Sequence, residues 1–162
     1  MAIPGLSTLG IQVGYKVVTA MNALPSSGIT ALPRCNSIDG IEITPASIDA
    51  SALEDYVTQR VAGRSDIPDT WNLTFNNTPA VRTALNGLIS AYNSETSADK
   101  VVCIEVYDPK DTAGAFWVFV QPSAALSLSE VSQNTLKTLT FATTPVTVYG
   151  YAAGVAPTAA SG

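Results

Sequence analysis

Ile41-Glu42-Ile43-Thr44 and Trp71-Asn72-Leu73-Thr74-Phe75 alternate apolar with polar residues, the period of a strand that buries one face. Between them lies a polar stretch, residues 45–70, longer than a compact domain ordinarily leaves between strands. Such a loop persists where it folds against something. This one carries Ile48, Leu53, Tyr56, Val57 and Val61 as apolar anchors among the charges Asp49, Glu54, Asp55, Arg60, Arg64 and Asp66. The pattern predicts an arm that contacts a neighbouring subunit.

Outward from this stretch the strand period recurs. In residues 11–17, Ile11, Val13, Tyr15 and Val17 share one face, and the turn formers of residues 22–33 follow. A second strand is expected over residues 34–38. Asp39-Gly40 then signals a turn or bulge before residues 41–44, where Pro45 ends the pairing. Past Phe75, Thr78-Pro79 sets a capping hydroxyl before a proline at the first helical position. Val81, Ala84, Leu85, Leu88, Ile89 and Tyr92 form one stripe, which predicts a helix over residues 79–93 lying on a sheet. Gly87 lies off that stripe and costs about 1 kcal/mol relative to alanine.

Residues 101–107 and 115–120 are dense in Val, Ile, Phe and Trp and make a hairpin through residues 108–114. Their two faces are both apolar, so both must be covered. A Thr-rich strand is expected over residues 135–144, with Pro145 interrupting before 146–149. Residues 1–10, with Ile3 and Leu6 among Pro4, Gly5 and Gly10, suit neither helix nor strand and are expected to be an extended arm. Residues 151–162 are small and uncharged and are expected to be a flexible tail. The predicted fold is mainly β (α+β): one domain over residues 11–150, a sandwich or half-open barrel with one flanking helix, a long inter-strand loop and extended termini.

Composition narrows the function. Of 162 residues 46% are hydrophobic and only 13% charged, a surface hard to keep soluble alone and therefore expected to be covered by partners. A net charge of -5 gives no basic footprint for nucleic acid. No apolar run is long enough for a membrane-spanning helix and no secretory leader is recognisable, so the chain is expected to stay in the cytoplasm where it is made. The Asn72-Leu73-Thr74 and Asn76-Asn77-Thr78 glycosylation patterns are accordingly read as strand and cap residues.

Chemistry is sparse. The chain has no His and two isolated cysteines, Cys35 and Cys103, so a zinc site lacks ligands and the thiols are expected to be buried and free. Serines lack a histidine base and no glycine-rich phosphate loop occurs, which argues against an enzyme and against a cofactor. Asp39, Glu42, Asp49, Glu54, Asp55, Asp66 and Asp69 lack the spacing of a calcium loop and are read as solvated or salt-bridged, while Asp108 and Asp111 are turn residues. Trp71 and Trp117 could stack on bases, but without interleaved Lys or Arg they are assigned to the core.

Taken together, Ile41-Glu42-Ile43-Thr44-Pro45 leading into Ser51-Ala52-Leu53-Glu54-Asp55 and Val61-Ala62-Gly63-Arg64, then a strand, the Pro79 helix, the hairpin and Asn134-Thr135-Leu136-Lys137-Thr138-Leu139-Thr140-Phe141, resemble the major tail (tail tube) proteins of long-tailed bacteriophages. The resemblance covers roughly residues 11–150, through the order of elements and a loose residue pattern. It implies a virion tail subunit, assembled in the host cytoplasm, whose hexameric rings stack on themselves and on other tail proteins and pass genomic DNA without binding it specifically. Glu42, Thr44, Asn72, Thr74, Thr138 and Thr140 would then line the channel. Ile3, Leu6, Leu53, Tyr56, Val57, Arg60 and Arg64 would meet neighbouring subunits. Two alternatives stay open: a tube from a contractile tail, secretion machine or gene transfer particle, and a capsid decoration or surface adhesion module.

Overall fold

The computed structural model describes residues 10–54 and 56–159. Its strands are β1 (Gln12–Val18), β2 (Thr30–Leu32), β3 (Cys35–Ile38), β4 (Ser47–Asp49), β5 (Arg60–Ala62), β6 (Trp71–Asn76), β7 (Val101–Tyr107), β8 (Ala115–Pro122) and β9 (Thr138–Ala152), with one helix, α1 (Pro79–Ser94). Among the described residues seven strands form one antiparallel sheet in the order β2-β1-β7-β8-β9-β6-β3, and β4 pairs only with β5. The sheet's two end strands, β2 and β3, are joined by only Pro33 and Arg34, so the sheet must curl until its ends approach. Arg34 makes that corner at a φ of 59°, a left-handed conformation uncommon outside glycine. The result is mainly β, a half-open barrel with one helix.

Inside the curl, Val13, Leu73, Phe75, Val102, Ile104, Val118, Val120, Leu139 and Phe141 pack against Val81, Leu85, Leu88 and Ile89 of α1. The helix begins as its sequence dictates: the Thr78 hydroxyl accepts from Val81 N–H at 3.3 Å, with Pro79 in the first turn. Alternation in β7 and β8 sends Cys103, Trp117 and Phe119 to the opposite face, into a second cluster with Ile29, Val101, Tyr107 and Ala115.

Three expectations are corrected. Residues 41–44 are not a strand of the sheet. The adjacent edge of β6 is taken by β3, and the chain leaves it where Asp39 N–H donates to Asn72 O and Trp71 Nε1 donates to Asp39 O. β6 starts at Trp71, so past it the chain meets no strand of the sheet: Ile41 touches the core, Ile43 stays half exposed, and Thr44 bridges to Asp66. Pro145 does not break the last strand. β6 has ended by Thr143 and the register against β8 shifts between Phe119 and Val120, so the missing N–H falls where the ladder is already irregular. The strand starts at Thr138 because residues 132–135 turn back through Ser132, Thr135 and Asn134, whose φ is 61°.

The C-terminal segment also differs from the flexible tail expected of it. Tyr151 and Ala152 complete β9 against Phe116 and Ala115, and residues 154–158 continue across the sheet to a parallel bridge between Thr158 and Thr30. The expected N-terminal arm, with Ile3 and Leu6, lies outside the described residues.

Candidate assembly surfaces

The long loop is a two-stranded ribbon. It starts at a double hydrogen bond between Thr44 and Asp66 (3.0 and 2.9 Å) and continues through Gly63 N–H to Ala46 O. The β4–β5 register pairs Ser47 with Ala62, Ile48 with Val61 and Asp49 with Arg60, and Ala50 N–H donates to Gln59 O at 2.9 Å. Ser51 closes the tip: its hydroxyl accepts from Gln59 N–H at 2.8 Å and its N–H donates to Asp49 Oδ1 at 2.9 Å. The Ser51 hydrogen bonds, from side chain and backbone, hold the Asp49 carboxyl below its usual range.

Every residue of β4 and β5 is exposed. At the tip Leu53 and Tyr56 are as open as in an extended chain (108% and 104%), and Ile48, Val57 and Val61 are at least half exposed. A ribbon of two strands with no core of its own is marginally stable in water. The interface candidates Leu53, Tyr56, Val57, Arg60 and Arg64 thus stand on one projecting element, where the Arg60 guanidinium reaches the Ser47 hydroxyl at 3.2 Å.

A second surface is the outer face of β6 and β9. Trp71, Leu73 and Phe75 point into the core opposite Thr143, Phe141 and Leu139, and the alternate pairs Asn72–Ala142, Thr74–Thr140 and Asn76–Thr138 form the other face. These six residues are half buried, and neither strand contains Lys, Arg, Asp or Glu. Of the channel-lining candidates, Asn72, Thr74, Thr138 and Thr140 come together here. Glu42 and Thr44 do not. They lie at the root of the ribbon, around a hollow shared with Gly40, Asp66, Ile67 and Pro68.

Sequence reasoning missed a third surface, a groove of about 610 Å3 at the mouth of the half-open barrel, between Ile38 and Ile41 on one side and Phe116 and Tyr151 on the other. Tyr151 meets the Phe116 ring edge-on, with centroids 5.0 Å apart. Distant segments build it, so no local pattern announces it.

Among the described residues no group of three or more His, Cys, Asp or Glu stands close enough to hold a metal ion, and no helix is long and apolar enough to cross a membrane. Both cysteines are free. Burial pushes the Cys103 thiol up to about 12, helped by the neighbouring Glu105 charge, and pushes the half-buried Cys35 thiol up to about 11, against an opposing interaction with the Ser37 backbone.

No known family matches the sequence, and no curated protein does. Solved structures do resemble its fold. A chain of the anti-feeding prophage (AFP) tube terminating cap superposes with a TM-score of 0.60 at 15% identity, over 94% of this chain and 95% of that one. A chain of the AFP baseplate does so at 0.59 and 14%, over 91% and 95%. A chain from the tail of an empty gene transfer agent (GTA) particle, refined with C6 symmetry, gives 0.53 and 13%, over 96% and 100%. At these identities the likeness is one of fold.

Proposed function

We propose that this chain is a structural subunit of a tail tube, assembling with copies of itself into stacked hexameric rings that form a conduit for DNA. The observation that carries the reading is the ribbon of residues 44–66, which projects from the domain with its apolar side chains in water. Apolar side chains that join neither core cluster of the described residues are explained by an intermolecular contact. In this reading the ribbon meets a different surface of its neighbour, a heterologous contact, the kind that closes into rings or propagates as a helix.

The uncharged wall of Asn72, Thr74, Thr138 and Thr140 suits a channel lining. Each Lys or Arg contact to a phosphate would add affinity and slow a sliding duplex, and this face offers none. In this reading Leu53, Tyr56 and Val57 anchor in a neighbouring subunit, Arg60 and Arg64 meet carboxylates at the rim, and Ile3 and Leu6 belong to an N-terminal arm that joins rings. Other tail proteins would meet the ends of the tube.

Electron microscopy of the purified protein tests the proposal. Stacked rings or long tubes are the expected result, and uniform small particles at all concentrations would instead indicate a decoration or adhesion module. A variant lacking Met1 to Leu9 should fold and fail to elongate. Likeness in fold to AFP and GTA chains favours one second reading, a tube from an injection or gene-transfer particle rather than from a long-tailed phage. Imaging the intact particle separates the two by whether it carries a genome-filled capsid of phage size.

A further inference from the structure

Gly14, Glu105, Trp117 and Gly150 are successive cross-strand partners, a single row over the outer face of β1, β7, β8 and β9. Residues 154–158 cross this face. Gly154 N–H donates to Thr112 O at 2.7 Å and Val155 N–H donates to Glu105 Oε1 at 2.7 Å. Pro157 covers Gly14, where an added methyl would come within 3.0 Å of its ring. Thr158 ends the crossing on the edge of β2: its N–H donates to Ile29 O at 3.0 Å and its carbonyl accepts from Ala31 N–H at 2.7 Å. The passage is close enough to require glycine, since a methyl at Gly154 would lie 2.6 Å from the Tyr107 ring and 2.8 Å from Ala115 Cβ.

Beneath the crossing segment two polar atoms are unsatisfied among the described residues. Glu105 is fully buried, and its Oε2 has no hydrogen-bond partner; neither has Nε1 of Trp117, directly across the ladder. A buried carboxylate with one N–H donor is expensive, whereas the neutral acid is far less so. Around it stand Lys16 of β1, whose ammonium is held by Ser27 O, with Cys103 and Tyr107 of β7. The adjoining turn adds Asp108, Lys110 and Asp111, while β8 and residues 154–158 carry no ionisable side chain.

We propose that residues 154–158 are a releasable strap whose closure over this face is set by the protonation of Glu105. The neutral acid keeps the strap down, accepting the Val155 N–H. The ionised carboxylate seeks water, which it reaches only when the strap lifts. Desolvation pushes the carboxyl up to about 7 from 4.5, outweighing the Val155 N–H bond, which favours the charged form, so the closed state holds a proton that the open state has lost. Closure is therefore strongest below the ordinary glutamate range and weakens as the pH rises to about 7. Release uncovers the apolar cluster around Trp117 and Phe119 and frees the β2 edge at Ile29 and Ala31, to which another strand can add.

Amide hydrogen exchange on the unassembled full chain, corrected for intrinsic exchange, tests this at pH 5 and pH 8. Protection at Val155, Thr158 and Ala31 should fall by about two orders of magnitude as the pH is raised, while Ile104 in the core ladder keeps its protection. In Glu105→Gln the strap amides should show no such dependence. An equal fall in Glu105→Gln, or none in the parent, overturns the proposal. Should that variant not fold, Gly154→Ala provides the second arm, because its methyl displaces the strap. Its strap amides should exchange freely at both pH values, and the Glu105 carboxyl, followed by carbon-13 NMR, should titrate in the ordinary glutamate range. A Glu105 that titrates there as it does in the parent would also overturn it.

Discussion

The Thr143 hydroxyl donates to the carbonyl of Trp71 at 2.7 Å, at the one residue of β9 paired on both sides, with Trp71 of β6 and Pro122 of β8. Before it β9 belongs to β6, and after it to β8. The two halves of the curled sheet are therefore joined at a point, and the joint is buried. Thr143→Val keeps the shape and removes the donor, leaving the Trp71 carbonyl without that bond. It should cost about 1–3 kcal/mol by denaturant unfolding. An unchanged midpoint would show that the joint draws nothing from this bond.

Helix α1 supplies a test of the inner core. Leu85 is fully buried between the helix and the sheet, so Leu85→Ala should cost about 2–5 kcal/mol of stability. Thermal stability equal to the parent's would mean that this face of the helix is not core.

Gly87 gives the opposite sign. It is exposed in mid-helix, and the nearest atom to an added methyl is the Tyr15 hydroxyl at 3.9 Å, an ordinary contact. Gly87→Ala should therefore raise stability by up to about 1 kcal/mol, since nothing in the packing needs a glycine there. A lower melting temperature would show that the helix approaches β1 more closely than this.

The thiols should be inert. With Cys35 near 11 and Cys103 near 12, each holds its proton at pH 8, and the thiolate is the reactive form. A disulfide-exchange reagent should label neither at that pH until denaturant is added, and reaction should rise only toward strongly alkaline pH. Prompt labelling of both in the native protein would contradict the burial of these strands.

What could be read from sequence follows how local the deciding physics is. Thr78-Pro79 and the stripe of Val81, Leu85, Leu88 and Ile89 fix a helix within a few turns, and the structure places it at Pro79–Ser94. The two-faced apolar runs of β7 and β8 likewise carry their own evidence, and both faces are covered. Residues 41–44 carry the same alternation as a strand, yet the edge they would join is occupied by Cys35–Ile38, a fact set by residues far along the chain. Pro145 misled for the same reason, because whether a proline is tolerated depends on which neighbour has already ended. The strap was illegible because Gly14 and Gly154 acquire meaning only once the fold brings them to one face.

The ribbon carries the sharpest test of assembly. Tyr56 is wholly exposed in the single chain and stands clear of the core, so Tyr56→Ala should leave the monomer's circular dichroism and melting temperature as they are. In an assembled tube the same ring would be desolvated in a neighbour, where a buried aromatic anchor commonly contributes about 2 kcal/mol or more. Arg64 is exposed too, and an ion pair at a wet rim contributes only about 0–1 kcal/mol. Tyr56→Ala should therefore lower the sedimenting fraction well below that of Arg64→Ala at equal protein concentration. If every copy uses the contact, the loss is multiplied along the assembly, and a modest change per subunit should appear as a large rise in the concentration needed for assembly. If both variants assemble like the parent, the ribbon is not the contact between subunits; if Tyr56→Ala melts early as a monomer, the ring serves the subunit's own fold.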